Sequence, residues 1–122
     1  MSGCRLVLPY PPSVNRLWRH VQTGRVVRTI VSREGREYKT AVQMACLKQG
    51  APKGIHDKVA LKIKLEPPDK RKRDIDNCCK ALLDALTYSG VWIDDSQVDD
   101  LHIYRADPTP NGRVTVEIWR MD

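Results

Sequence analysis

Residues 69–95 read D-K-R-K-R-D-I-D-N-C-C-K-A-L-L-D-A-L-T-Y-S-G-V-W-I-D-D. Four consecutive cationic residues, 70–73, lead directly into an Asp-x-Asp-Asn sequence. A helical pattern follows, then a turn at residues 89–90, then an apolar run that ends in Asp94 and Asp95. Cations that suit a polyanion therefore stand beside carboxylates that suit a hard metal ion.

Length and composition indicate one globular domain with a basic surface. The chain has 122 residues, of which 41% are hydrophobic and 30% charged, enough for a single modest core. The net charge is +6 and the pI is about 9.3. This balance favours a polyanionic partner, nucleic acid before an anionic membrane surface, although such a charge also serves solubility alone.

No membrane span or signal peptide is expected from the apolar runs, which are all short. The four cysteines (Cys4, Cys46, Cys78 and Cys79) lack C-x-x-C spacing, and two of them are adjacent. We therefore expect small hydrophobic thiols in a reducing cytoplasm rather than disulfides or a zinc site. The three histidines are widely spaced, and no nucleophilic triad or Gly-rich phosphate loop can be assembled.

The first half of the chain predicts a strand, an arm, a helix and a strand. Residues 4–8 form a short strand that ends at prolines, and a turn at Thr23 and Gly24 indicates a hairpin arm. A helix over 34–49, entered at Ser32, has an apolar stripe that Met44 and Leu47 widen. Residues 58–66 alternate as a strand that is half buried.

The second half predicts a helix over 76–88 and strands over 97–104 and 113–119. Gly90 caps the helix, whose apolar face uses Cys79, Leu82, Leu83 and Leu86. Val98 is out of phase with the later apolar residues of its strand, which therefore starts late. The turn sequence D-P-T-P-N-G predicts that the last two strands pair as a hairpin. The fold class is α+β: one domain over residues 1–122, a mixed sheet of about four strands packed with two main helices.

Asp74 and Asp76 are the first candidates for chemistry. In an extended segment their side chains share one face, with the Cα atoms roughly 6–7 Å apart. Helix capping is the competing explanation, because aspartate favours a helix N-terminus. An EF-hand register is absent, whereas Mg²⁺ is commonly held by one or two carboxylates, with water and phosphate oxygens completing its shell. Two aspartates flanked by Arg73 and Asn77, with Asp94 and Asp95 returning on the next loop, fit capping less well than a metal site.

Lys80 and the cations around the acids are the candidates for binding phosphate. Lys80 lies four residues after Asp76 and either forms an exposed ion pair or stabilises charge at phosphorus. The basic run is a solvated stretch or a phosphate contact, and the like-signed Lys62 and Lys64 on the preceding strand favour the contact. A Pro-rich turn leads into further candidate phosphate ligands: Arg16, Arg19 and His20. The alternative for this segment is a solvated loop with Trp18 packed on the core.

The chain resembles the RusA family of Holliday junction resolvases, small endonucleases of bacteria and prophages. The likeness includes L-P-Y-P-P-S-V-N-R-L-W-R-H at 8–20, S-R-E-G-R-E-Y at 32–38 and P-D-K-R-K-R-D-I-D-N at 68–77. It continues through K-A-L-L-D-A-L at 80–86 and G-V-W-I-D-D-S-Q-V at 90–98.

The resemblance implies a homodimer that uses Mg²⁺, or Mn²⁺ in its place, to cut four-way DNA junctions by paired symmetric nicks. It implies that Asp74, Asp76 and Asp95 bind the metal and that Lys80 is a further catalytic residue. Asp94 is the neighbour that would share the role of Asp95. The cations that would contact the DNA backbone are Lys70, Arg71, Lys72 and Arg73. The chain departs from the family at Leu83, where a bulky aromatic near the site is expected.

Overall fold

The computed structural model describes residues 3–12, 18–23 and 26–121. The strands are β1 Cys4–Leu8, β2 Trp18–Thr23, β3 Val26–Val31, β4 Val59–Glu66, β5 Val98–Arg105 and β6 Arg113–Arg120. The helices are α1 Arg33–Gln49 and α2 Ile75–Tyr88, and a 3-10 turn spans Asp95–Gln97.

Four strands form a mixed sheet in the order β1-β6-β4-β5. β6 pairs antiparallel with both β1 and β4, while β5 pairs parallel with β4. β2 and β3 form a separate antiparallel hairpin, which confirms the predicted arm. Thr23 is the last residue of β2, and Gly24 lies outside the described residues. The α+β class and the mixed sheet are confirmed.

The core lies between one face of the sheet and the two helices. On β4, the alternating Val59, Leu61, Ile63 and Leu65 are each at most 1% exposed, as the pattern predicts. Both helices pack together, α1 against β1 and α2 against β5. The opposite face of β4, with Lys62 and Lys64, points away from the helices.

α1 begins where the sequence indicates, because Ser32 accepts a hydrogen bond from the Gly35 amide at 3.1 Å. It ends at Gly50, which adopts a left-handed conformation with φ of 66°. The predicted width of its apolar stripe is wrong. Met44 and Leu47 are 51% and 56% exposed, because the buried stripe of α1 runs through Tyr38, Val42 and Cys46 instead.

The apolar face of α2 is also rotated relative to the prediction. Leu82 and Leu86 are buried as expected, whereas Cys79 and Leu83 are only partly buried. Their places in the core are taken by the smaller Cys78, Ala81 and Ala85. Gly90, with φ of 80°, follows the helix as predicted.

The predicted hairpin of the last two strands is wrong. β4 lies between β5 and β6, so these strands do not pair with each other. The turn sequence after β5 is present, but it carries the chain past β4 instead of reversing it alongside β5. A turn signal reports a local change of direction and contains no information about which strand lies next to it.

The expectation that β5 starts late is wrong as well, because the strand begins at Val98. Val59 pairs with Val98, but the next residue of β4, Ala60, pairs with Asp100. Asp99 is therefore an extra residue, a β-bulge. The bulge explains why Val98 is out of phase with Leu101.

Two further expectations concern the thiols and the membrane. All four cysteines are free thiols, and Cys46 and Cys78 are buried. No helix in the described ranges has the length and apolarity to span a membrane.

Candidate active site

Asp74 occupies the N-cap position of α2 but does not act as a cap. Its backbone is extended, with φ of −86° and ψ of 132°. The first turn of α2 lies wholly within the described residues, and no amide of that turn donates a hydrogen bond to the Asp74 carboxylate. Asp76, in the same turn, accepts a hydrogen bond from the Asn77 amide at 3.0 Å. Both carboxylates are exposed, and the positive end of the helix dipole favours their charge.

Three of the predicted site residues line one pocket of about 540 Å³ between α2 and β5. These residues are Asp76, Lys80 and Asp95. The rest of the wall is apolar and comprises Ile75, Cys79, Leu83, Leu101 and Ile103. The structure thus brings a cation and two carboxylates together beside an apolar surface, and Asp74 lies outside the lining.

Asp84 extends the acidic side of this region along α2. It follows Asp76 by two helical turns, a rise of about 12 Å along the axis. Partial burial raises the pKa of Asp84, Lys39 and Lys80 oppose that change, and the negative charge of Asp95 adds to it. The charge of Asp95 therefore acts on Asp84. The pocket lining on α2 runs from Ile75 to Leu83 and does not include Asp84.

The three predicted metal-binding aspartates do not form a closed cluster. Among the described residues, no three His, Cys, Asp or Glu side chains are grouped closely enough to hold a metal ion. The donor set nevertheless fits Mg²⁺, because Asp76 and Asp95 present hard oxygen atoms to one pocket. Mg²⁺ typically takes only one or two carboxylates and completes its octahedron with water and phosphate oxygens.

The turn that presents Asp95 is held by its neighbours. The Asp94 carboxylate accepts hydrogen bonds from the amide of Ser96, at 3.3 Å, and from its hydroxyl. These two bonds lower the pKa of Asp94. Gln97 completes a capping box by accepting from the Asp94 amide at 2.8 Å. Asp94 is therefore engaged in the turn, whereas Asp95 faces the pocket.

The basic segment contains two kinds of cation. Arg73 is only 22% exposed; its Nη1 atom lies 2.8 Å from an Asp69 oxygen. Its guanidinium stacks over the Tyr10 ring at 5.7 Å, and Asp69 raises its pKa. Arg105 also donates a hydrogen bond to the Arg73 carbonyl. Arg73 thus organises the segment internally.

Lys70, Arg71 and Lys72 are exposed. The Arg71 side chain remains 83% exposed even though its Nε atom lies 3.7 Å from Asp69. These three residues are the cations of the segment that a polyanion can reach.

Two further predicted cations, Lys62 and Lys64, lie away from the pocket. Lys62 and Lys64 lie on the sheet face opposite the pocket, where Lys62 stacks on Tyr104 at 6.0 Å. Arg19 belongs to β2, and so does His20. Arg16 lies outside the described residues.

Comparisons with known proteins place this chain in a family. A family model described as "Endodeoxyribonuclease RusA" matches residues 9–119. The chain is 38% identical over 121 residues to a crossover junction endodeoxyribonuclease RusA from Escherichia coli K12, covering 99% of this chain and 98% of the relative. The chain belongs to the RusA family. Phage proteins of the same name are also similar: that of Enterobacteria phage 82 is 37% identical over 121 residues, and that of phage HK97 is 34% identical over 122. In both, 98% of the relative is covered.

The RusA resemblance also bears on Leu83. Leu83, at the position expected for an aromatic, lines the same pocket as Asp76.

Gln97 was not among the predicted site residues. The sequence D-D-S-Q at 94–97 fits the capping-box pattern, an acidic or hydroxyl residue followed three positions later by Glu or Gln, and this signal would have identified it.

Proposed function

We propose that this protein is a Mg²⁺-dependent endonuclease that resolves four-way DNA junctions by paired symmetric nicks. Membership of the RusA family and the names of the relatives support the endonuclease activity and the junction substrate. One observation carries the proposal for this chain: Asp76, Lys80 and Asp95 line the same pocket although they come from a helix and a separate turn.

In this proposal Asp74, Asp76 and Asp95 hold the metal ion. Asp74 suits this role because its carboxylate accepts no capping hydrogen bond from α2. A bound Mg²⁺ would supply a nucleophilic water and neutralise charge on the scissile phosphodiester. The carboxylates alone would leave the coordination shell of Mg²⁺ incomplete, and a DNA phosphate would help to complete it. This agrees with the open arrangement of the carboxylates.

Lys80 supplies the positive charge on the protein side. It shares the pocket with Asp76 and Asp95, so it stands next to the place where a phosphate would bind. We infer that its ammonium group stabilises the negative charge that builds up at phosphorus in the transition state. The apolar wall of the pocket lowers the local dielectric constant and strengthens this interaction.

DNA binding is assigned to the cations next to the acids. Lys70, Arg71 and Lys72 are exposed and would contact backbone phosphates. Arg73 would hold the segment in shape through Asp69 and Tyr10 while adding to the positive potential. The cations of the amino-terminal segment, Arg16, Arg19 and His20, remain proposed contacts.

Two symmetric nicks require two equivalent sites. Because each chain offers one pocket with this set of residues, a two-fold homodimer would supply both cuts. We propose that this dimer acts on branched DNA in the cytoplasm, in recombination and repair.

Cleavage of a synthetic four-way junction with and without Mg²⁺ tests the proposal. The wild-type protein should nick two opposed strands symmetrically in Mg²⁺ and only bind in EDTA. Asp76→Asn should bind the junction and not cut it. Junction binding without cleavage by the wild type would indicate a non-catalytic binding module. Faster cutting of flaps, duplex or RNA would indicate a nuclease with another substrate.

A further inference from the structure

The Gln97 carboxamide joins two loops beside the pocket. Its Oε1 atom accepts hydrogen bonds from the amides of Ile93, at 2.9 Å, and Asp94, at 2.8 Å. Its Nε2 atom donates to the carbonyls of Ile55, at 2.8 Å, and Asp57, at 2.9 Å. One side chain therefore links the stretch before Asp94 to a loop about 40 residues earlier in the chain.

These four bonds use the whole hydrogen-bonding capacity of the group. A primary amide has two N–H donors and a carbonyl oxygen with two lone pairs, and each is matched here. Glutamate would keep the acceptors but lose both donors. Asparagine would keep the chemistry but is shorter by one methylene, and so could not reach both loops.

Backbone hydrogen bonds also join these two stretches of chain, at residues 54–55 and 90–91. The Gly54 amide donates to the Gly90 carbonyl at 2.8 Å, and the Ile55 amide donates to the Val91 carbonyl at 3.0 Å. Gln97 extends this connection towards the turn, where backbone pairing between the loops stops. The backbone before the acidic turn and the last residue of the turn are thus both tied to the loop at residues 54–57.

We propose that Gln97 is a positioning residue that holds Asp95 at the pocket for metal binding. Asp95 lies on an exposed three-residue turn, which has little stability of its own. The Gln97 bonds fix the residues that flank Asp95 on both sides. This inference rests on the proposed function, because it takes Asp95 to be a metal ligand.

Gln49 provides a matched control within the same molecule. Its side chain makes the same kind of link to a distant backbone, accepting from the Val7 amide and donating to the Val7 carbonyl, both at 2.7 Å. Val7 belongs to β1, at the sheet edge opposite β5 and the pocket. Replacing either glutamine with methionine keeps the volume and removes the hydrogen bonds.

The experiment compares Gln97→Met with Gln49→Met in the full-length protein. For each we would measure junction cleavage against Mg²⁺ concentration, Mn²⁺ binding by calorimetry without DNA, junction binding in EDTA, and the thermal midpoint. Gln97→Met should need about 10- to 100-fold more Mg²⁺ for half-maximal cleavage, the usual effect of removing an outer partner of a metal ligand. It should weaken Mn²⁺ binding similarly and leave junction binding unchanged. Gln49→Met should affect only the thermal midpoint.

Gln97→Asn is the second variant, in case Gln97→Met does not fold. Its amide keeps the polarity and loses only the reach, so the metal dependence should shift in the same direction. Unchanged metal dependence in the Gln97 variants, with an active wild type, would overturn the inference while leaving the proposed function intact. Equal shifts in the Gln97 and Gln49 variants would also overturn it, since the effect would then reflect stability alone. A wild type that neither binds Mn²⁺ nor cuts junctions would overturn both proposals.

Discussion

In the part of the chain that the structure describes, the helix α2 and the 3-10 turn each begin with an aspartate at the N-cap, and they use it differently. At the 3-10 turn, the Asp94 carboxylate accepts the Ser96 amide and hydroxyl. At α2, the Asp74 carboxylate accepts no bond from the first turn, every residue of which is described. The same residue type at the same position therefore caps one turn and leaves the other uncapped.

This difference separates structural acids from candidate functional ones. A carboxylate that caps a turn uses oxygen lone pairs to accept hydrogen bonds, as Oδ2 of Asp94 does from Ser96. An uncapped carboxylate at a helix N-terminus keeps its oxygen atoms for another ligand, while the dipole still favours its charge. The role of an aspartate at a helix start therefore cannot be assigned from its position alone, and its hydrogen bonds must be known.

The largest effect is expected for Asp74→Asn. We expect cleavage of a four-way junction to fall by about 100-fold or more, since a metal ligand contributes several kcal/mol to transition-state stabilisation. The thermal midpoint should fall only slightly, because the substitution removes a charge that the helix dipole favours but no capping bond. Single-turnover cleavage and thermal unfolding measure the two quantities. A destabilised variant with full activity would mean that Asp74 is structural, and the contrast with Asp94 would fail.

The basic segment shows a similar contrast, between Arg73, which is held by Asp69 and Tyr10, and the exposed Lys70 and Lys72. Lys70→Ala with Lys72→Ala should reduce the slope of log binding constant against log salt by about 0.9 for each phosphate that the protein no longer neutralises. The thermal midpoint should stay constant, because both side chains are exposed.

Arg73→Ala should weaken junction binding, flatten the salt dependence and also lower the thermal midpoint. It removes the ion pair with Asp69 and the stacking on Tyr10. Filter binding at several salt concentrations would test both variants. An unchanged slope for the lysine pair would show that neither side chain meets phosphate.

Asp94→Ala should behave opposite to Asp74→Asn. The capping bonds are removed, so the thermal midpoint should fall, while cleavage at saturating Mg²⁺ changes by less than about tenfold, as expected for a cap. Asp94→Asn, which can still cap, is the matched control and should restore the midpoint. If both variants lose cleavage completely, Asp94 shares the metal with Asp95.

The smallest effect is a pH dependence at the same turn. The Ser96 hydroxyl and amide lower the folded-state pKa of Asp94 below its ordinary value. Its contribution to stability is therefore complete above the unfolded pKa of about 3.9 and disappears as the pH falls through the lower folded value. The difference in thermal midpoint between wild type and Ser96→Ala should be full at neutral pH and shrink below about pH 4. A difference that persists in acid would contradict the assignment.

The sequence predicts most elements here because their signals are local. The alternation on β4, the Ser32 cap and the position of Gly90 each depend on a few neighbouring residues. The pairing of β5 depends on β4, which lies more than 30 residues earlier, and a turn motif cannot report it. For the same reason the predicted β5–β6 hairpin was wrong.

At the site, the sequence predicts which residues are candidates but not which hydrogen bonds and ion pairs they form. Asp76, Lys80 and Asp95 were all candidates, and the pocket brings them together. That Asp94 caps a turn and Arg73 is held by Asp69 are facts of three-dimensional hydrogen bonding. Gln97 was missed because its partners at residues 55 and 57 are distant in sequence, although its capping-box spacing was visible.

The bulge at Asp99 determines which face of β5 is reached by the side chains between the acidic turn and the pocket wall. Leu101 follows Val98 by three positions, yet both side chains point to the helix side, Val98 into the core and Leu101 into the pocket. A regular strand with the same three-position spacing would send one of them to the opposite face. The bulge therefore allows this stretch of β5 to serve the core and the pocket at once. A relative that lacks the extra residue would need no bulge, because the two side chains would then be two positions apart and share a face.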